Sequence, residues 1–217
     1  MPFCYNIKMK TIIFDFDGTI ADTFPFVYDI INNLASKYGI KKLSRNELED
    51  LRTMSMKDIV EKYNLNRLKL LRIMADAHKA IAEKVPETKI FEGVPKVLNS
   101  LKSQGYRIAI ISSNSRQNIM SILIRNDIDI FDVVDTSMSL FGKGKKLIKI
   151  MNKGNFNKDN TLYIGDEVRD IEAAHNANIK IISVGWGYNT SKILKENNSI
   201  VVSSPEKLLE AIENSFK

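Results

Sequence analysis

Four short apolar runs punctuate the chain, and each gives way abruptly to small or polar residues. Thr11-Ile12-Ile13-Phe14 leads into Asp15-Phe16-Asp17, and Arg107-Ile108-Ala109-Ile110-Ile111 leads into Ser112-Ser113-Asn114. Thr161-Leu162-Tyr163-Ile164 leads into Gly165-Asp166, and Lys180-Ile181-Ile182-Ser183-Val184 into Gly185-Trp186-Gly187. Nearly continuous β-branched runs of this length suit strands covered on both faces, as in a parallel sheet. Between them the period changes. Val97, Leu98 and Leu101 share a helical face that opens at Val94-Pro95 and stops at Gln104-Gly105. Residues 115–125 (Ile119, Ile122, Leu123), 170–177 and 205–216 read as further helices. Strand and helix in alternation predict an open α/β fold with a parallel sheet.

Residues 23–89 break the alternation. They contain no clear strand, while 26–38, 45–51, 56–63 and 68–85 all read as helices, the last by the spacing of Leu68, Leu71 and Ile73-Met74. This is the pattern of a small α-helical insertion after the first strand. The expected division is therefore a core of residues 1–22 and 90–217 around a helical unit of 23–89. Residues 1–8 precede the first strand, and Met9-Lys10-Thr11 is a natural start for it, so that segment is expected to be dispensable.

Composition narrows the class. Among 217 residues, 44% are hydrophobic and 27% charged, a globular balance, and no apolar run approaches the ~20 residues of a membrane span. The one cysteine, Cys4, has no internal partner, and no export signal opens the chain, which suits a reducing cytoplasmic setting. The net charge of +6 raises the question of nucleic acid. The lysines are scattered, however, and no basic stripe interleaved with aromatics is present, so neither nucleic acid nor membrane is an expected partner.

In an open α/β sheet the crevice lies beyond the carboxyl ends of the strands, and that is where the polar residues of all four runs fall. Asp15 and Asp17, two apart in an extended backbone, face the same way, and Gly18 allows a sharp turn after them. Paired carboxylates favour a divalent cation, and with only His78 and His175 available, widely separated, a hard oxygen site for Mg²⁺ fits better than zinc. Asp166 stands at another strand tip, suited to complete a metal site. Asp170, in the first turn of the next helix, suits holding a lysine or a metal-bound water. Ser113 and Asn114 offer a hydroxyl and a helix amino terminus to phosphate oxygens. The run Lys143-Gly144-Lys145-Lys146 offers an ammonium group to a phosphoryl group. Each feature alone is an ordinary turn, cap or solvated face; their joint order at strand ends is the signal.

Phe14-Asp15-Phe16-Asp17-Gly18-Thr19, Ile110-Ile111-Ser112-Ser113-Asn114, the lysine near 143 and Gly165-Asp166-x-x-x-Asp170 together resemble the four motifs of the haloacid dehalogenase-like superfamily. Phe91-Glu92-Gly93-Val94 and the helical insertion resemble its phosphoglycolate phosphatase-like branch. The resemblance spans essentially the whole chain. It implies a Rossmann-like core with a helical cap and Mg²⁺-dependent phosphoryl transfer through an aspartyl phosphate. It further implies Asp15 as nucleophile and Asp17 as general acid and base. Asp15, Asp166 and the Asp17 carbonyl would ligate the metal, Ser113 and a lysine would bind the phosphoryl group, and Asp170 would orient that lysine. Relatives often carry Lys-Pro at the third motif; here Phe141-Gly142-Lys143-Gly144-Lys145 points to Lys143, with Lys145 as the alternative.

The expected function is hydrolysis of a small phosphomonoester, phosphoglycolate-like. A sugar-phosphate mutase of the same fold and a non-catalytic binding module are the alternatives. Asp17 argues against a dehalogenase or phosphonatase, which lack the second aspartate in this family. Within the insertion, Arg52 and Lys57 flank a break between helices and are the candidate cations for an anionic substrate, while Met54, Met56 and Met74 are expected to pack the cap, Met54 being the one that could reach a substrate. Trp186, His78 and His175 are expected to be structural.

Overall fold

The computed structural model describes residues 9–136 and 143–216. In chain order the elements are β1 (Thr11–Phe14), β2 (Ala21–Asp22), α1 (Phe24–Tyr38), α2 (Arg45–Leu51), α3 (Met56–Lys62), α4 (Arg67–Glu83) and β3 (Lys89–Ile90). They continue with α5 (Val94–Ser103), β4 (Arg107–Ser112), α6 (Arg116–Arg125), β5 (Val133–Thr136), α7 (Lys143–Gly154) and β6 (Thr161–Gly165). The last are α8 (Val168–Ala177), β7 (Lys180–Val184), α9 (Ser191–Glu196), β8 (Ile200–Val202) and α10 (Pro205–Ser215).

Six strands form a wholly parallel sheet in the order β5-β4-β1-β6-β7-β8. The fold class expected from the alternating pattern is the one observed. Alternation along each strand assigns side chains to two cores. Ile12, Phe14, Ile108, Ile110, Leu162 and Ile164 face one, with Leu98 and Leu101 of α5, Ile119 of α6 and Leu208 of α10. Ile13, Ala109, Ile111 and Tyr163 face the other, with Leu147 of α7 and Ile171 and Ala174 of α8. Full burial of one such branched side chain contributes ~1.5–3 kcal/mol, so the central strands anchor the sheet.

Phe14 of β1 is in register with Ile110 of β4 on one side and Ile164 of β6 on the other. The residues following these three strands therefore emerge together at one edge. Because the chain proceeds in opposite directions from β1 on its two sides, that edge is the switch point where crevices open in such sheets.

Between β2 and β3, which pair antiparallel (Ala21 with Ile90, Asp22 with Lys89), lie the four helices α1–α4. Ser44 with Glu47 and Ser55 with Asp58 form capping boxes at the starts of α2 and α3. The inward face of α4 matches the expected one at Ile73 and Met74 but not at its start. Leu68 and Leu71 are exposed, and it is Leu70, Ile73, Met74 and Ala77, at helical spacing, that line the interior of the insertion. No helix among the described residues is long and apolar enough to cross a membrane. Cys4, the 1–8 segment and Phe141-Gly142 lie outside the described residues.

Candidate active site

Asp15 follows β1 directly. Its backbone amide donates to the Ile164 carbonyl (2.8 Å), so the chain is still tied to the sheet where the carboxylate leaves it. One carboxylate oxygen accepts from the Phe16 amide (2.8 Å) and the other from Lys143 Nζ (2.7 Å). Lys143 opens α7 and also pairs with Asp170. Lys145 is exposed, so the structure places Lys143 against the strand ends. Burial raises the Asp15 carboxyl to about 7 despite the pull of Lys143. Burial likewise works against the charge on Lys143, but Asp15 and Asp170 outweigh it and hold the ammonium protonated.

Asp170 is held from several sides. Its Oδ2 accepts from the amides of Asp166 and Glu167 (3.0 Å each), and its Oδ1 from the Tyr163 hydroxyl (3.1 Å) and Lys143. Burial alone would raise this carboxyl, yet Lys143 and Arg169 bring it below its ordinary value. Asp166 has no exposed surface. The Thr19 hydroxyl donates to its Oδ1 (2.7 Å) and the Tyr188 amide to its Oδ2 (2.7 Å).

Gly18 makes this approach possible. Its φ is +80°, and a Cβ there would stand 2.2 Å from Asp166 Oδ2.

The Asp17 carboxylate is turned to the end of β4 and the loop after it. Asn114 Nδ2 (3.1 Å) and the Ser112 hydroxyl (3.3 Å) donate to its carboxylate. Burial raises its pKa above the ordinary aspartate value, with those two donors opposing the rise. The Asn114 side chain is thus turned to Asp17, while the Ser113 hydroxyl lies 3.3 Å from His78 Nε2 of α4.

Oxygens of Asp15, Asp166 and Asp170 lie within 4.8 Å of one another. Burial, followed by Glu167, Asp170 and Asp15, raises Asp166 well above an ordinary aspartate. Carboxylates crowded so closely, with Lys143 committed to two of them, are the donor set a hard divalent cation offsets. The residues present fit Mg²⁺ held by Asp15 and Asp166. Asp17 could add only its backbone carbonyl, since its side chain is turned to Ser112 and Asn114.

The insertion covers this edge. Arg52, after α2, donates from Nε to the Tyr188 carbonyl (3.1 Å), from Nη2 to the Gly187 carbonyl (3.0 Å) and from Nη1 to Glu49 (2.8 Å). Its guanidinium also lies over the Phe24 ring, 4.5 Å from the centroid. Lys57 is exposed and takes no part in the cavity beneath the insertion. That cavity, of about 320 Å³, is lined by Asp17, Ser113, His78, Arg169, Arg52 and Met54 together with apolar residues of α1–α4.

Some participants escape sequence reasoning. Thr19 and Tyr188 position Asp166, the latter by a backbone amide that no side-chain pattern reveals. Arg169 pairs with Glu167, and its Nε is buried with no hydrogen-bond partner among the described residues, as is His78 Nδ1. His78 sits 35 residues from Ser113 in sequence, so only the fold discloses their contact. Trp186 is structural as expected, donating to the Thr19 carbonyl (3.2 Å) and meeting Phe91 edge-on.

Comparison with known proteins agrees with this geometry. The model of the haloacid dehalogenase-like hydrolase family matches residues 12–184. A phosphoglycolate phosphatase from Synechococcus elongatus is 32% identical over 203 residues, covering 93% of each chain. The pyrophosphatase PpaX of Bacillus mycoides is 24% identical, covering 83% of this chain and 85% of its own. Among solved structures, a predicted phosphatase from Clostridium acetobutylicum shares the fold with a TM-score of 0.81 at 22% identity, covering 95% of this chain and 99% of its own. The chain belongs to the haloacid dehalogenase-like hydrolases, among relatives that are phosphatases.

Proposed function

We propose that this protein is a Mg²⁺-dependent phosphatase that hydrolyses small phosphomonoesters through a phosphorylated Asp15. The observation that supports this most is the convergence of Asp15, Asp166 and Lys143, with Asp17 beside them, at the carboxyl ends of adjacent parallel strands. Residues 1–22 and 90–217 form the catalytic core in this reading, and 23–89 form the cap.

An Asp15 oxygen attacks phosphorus, and the bond from phosphorus to the alkoxide breaks. Asp17, whose raised pKa favours the protonated form, delivers its proton to the departing oxygen. Asp17 then takes a proton from the water that attacks the phosphorylated Asp15, which regenerates the carboxylate and releases inorganic phosphate. Ser113, the Asn114 corner and Lys143 bind the phosphoryl oxygens, and Asp170 keeps Lys143 oriented. Asp15, Asp166 and the Asp17 carbonyl would hold Mg²⁺, which would supply the positive charge a carboxylate needs to approach a phosphate dianion.

The test is hydrolysis of p-nitrophenyl phosphate, with phosphoglycolate, named for the Synechococcus relative, as the reference natural ester. Activity is expected with Mg²⁺, to vanish with EDTA and to return when Mg²⁺ is restored in excess. Full turnover in chelator would rule out the metal-dependent mechanism.

A further inference from the structure

Under the insertion, the cavity's chemistry changes with depth. At the end nearest the sheet it is lined by Asp17, Ser113, His78 and Arg169. Away from the sheet its wall is apolar, and Ile31, Leu48, Ile59, Leu70, Ile73 and Met74 come from all four helices. At about 320 Å³ it is roughly twice the ~150 Å³ of an apolar cavity that accepts a benzene ring. A concave pocket of this size and apolar lining is of the kind that receives an apolar group.

The cations that line this cavity pair with protein groups, although Arg169, at the end nearest the sheet, keeps an Nε with no partner among the described residues. Lys41 pairs with Glu47 (2.6 Å), Arg169 pairs with Glu167, and the Arg52 donors go to Glu49 and to the Gly187 and Tyr188 carbonyls. Burial, reinforced by Arg169 and Lys146, favours the neutral form of His78. Away from that end, among the helices of the insertion, a second negative charge on a substrate would find little to meet it. A hydrocarbon chain or ring would find a wall that water wets poorly.

Position links the cavity to the reaction. The group that protonates the leaving oxygen must touch it, and Asp17, assigned that task in the proposed function, itself lines the cavity. The carbon attached to that oxygen is therefore directed under the cap. We infer that the preferred substrate is a phosphomonoester whose leaving alcohol carries an apolar body, an alkyl chain of several carbons or a ring, seated among α1–α4. This rests on the phosphatase reading and sets the substrate class apart from two-carbon acids.

The test uses n-propyl, n-pentyl and n-heptyl phosphate, whose leaving alcohols are almost equally acidic, so the chemical step is matched along the series. With the full-length protein and Mg²⁺, kcat/KM is expected to rise about fourfold per added methylene while the chain fills the cavity, a gain on the order of 10² from propyl to heptyl. Ala77 lines the same cavity, and Ala77→Phe should remove the gain, bringing the heptyl ester level with the propyl ester in that variant. A flat or falling series in the unaltered protein, or phosphoglycolate exceeding the heptyl ester tenfold, overturns the inference and leaves the phosphatase reading intact. Absence of turnover on every ester, p-nitrophenyl phosphate included, overturns the phosphatase reading. Calorimetry with n-heptyl- and n-propylphosphonate then judges the cavity alone: tighter heptyl binding by tenfold or more upholds it, and equal affinities overturn it.

Discussion

Lys143 Nζ lies 2.7 Å from Asp15 Oδ2 and is held from its other side by Asp170, so one ammonium serves two buried carboxylates. The pair spans 128 residues of sequence and ties the start of α7 to the end of β1. Removing the cation leaves both carboxylates in a site that cannot solvate them.

Lys143→Ala should therefore cost stability as well as turnover. Breaking one side of a buried ion pair typically costs ~3–5 kcal/mol. Urea unfolding of the metal-free protein at neutral pH is the check, and a loss below about 1 kcal/mol would show that water reaches these carboxylates.

Gly18 is constrained by conformation and by space. Gly18→Ala places a methyl group 2.2 Å from Asp166 Oδ2 on a residue with φ of +80°. The expected result is a loss of more than ~1 kcal/mol in stability, together with weakened Mg²⁺ activation as Asp166 is pushed aside. Titrating activity against Mg²⁺ reads this directly. An unchanged midpoint would mean that Asp166 moves without consequence.

Much of this site is visible in the sequence because its residues directly follow strands that are apolar on both faces. β1, β4, β6 and β7 are buried in that way, so their runs are continuous and their ends sharp. β5 and β8 are edge strands. β5 is half-buried throughout, and Ile200 of β8 is exposed, so neither carries an uninterrupted apolar run. β2 and β3 are two residues each, too short for any period to show. In α4 the apolar residues outnumber the inward positions, which is why Leu68 and Leu71 suggest the wrong face. Tyr188 and His78 act through contacts that only the folded chain creates.

The contacts of Arg52 support a role in holding the insertion closed. Sequence placed it in the insertion as a cation for an anionic substrate, whereas its donors go to the Gly187 and Tyr188 carbonyls and to Glu49. It fastens the insertion to the loop that also positions Asp166. Arg52→Ala is expected to lower kcat/KM by about tenfold on anionic and neutral-bodied esters alike, the pattern of impaired closure. A rise in KM confined to anionic substrates would return it to substrate selection.

In the proposed reaction Asp15 itself carries the phosphoryl group. In Asp17→Asn the base that activates water is gone, so the phosphorylated enzyme should accumulate during turnover of p-nitrophenyl phosphate with Mg²⁺. Borohydride reduces an acyl phosphate to an alcohol, and peptide mass spectrometry after such a quench locates the modified residue. The account predicts homoserine at position 15, dependent on substrate and Mg²⁺ and absent from the Asp15→Asn, Asp17→Asn double variant. Reduction at another residue, or a phosphatase whose position 15 is never modified, would contradict it.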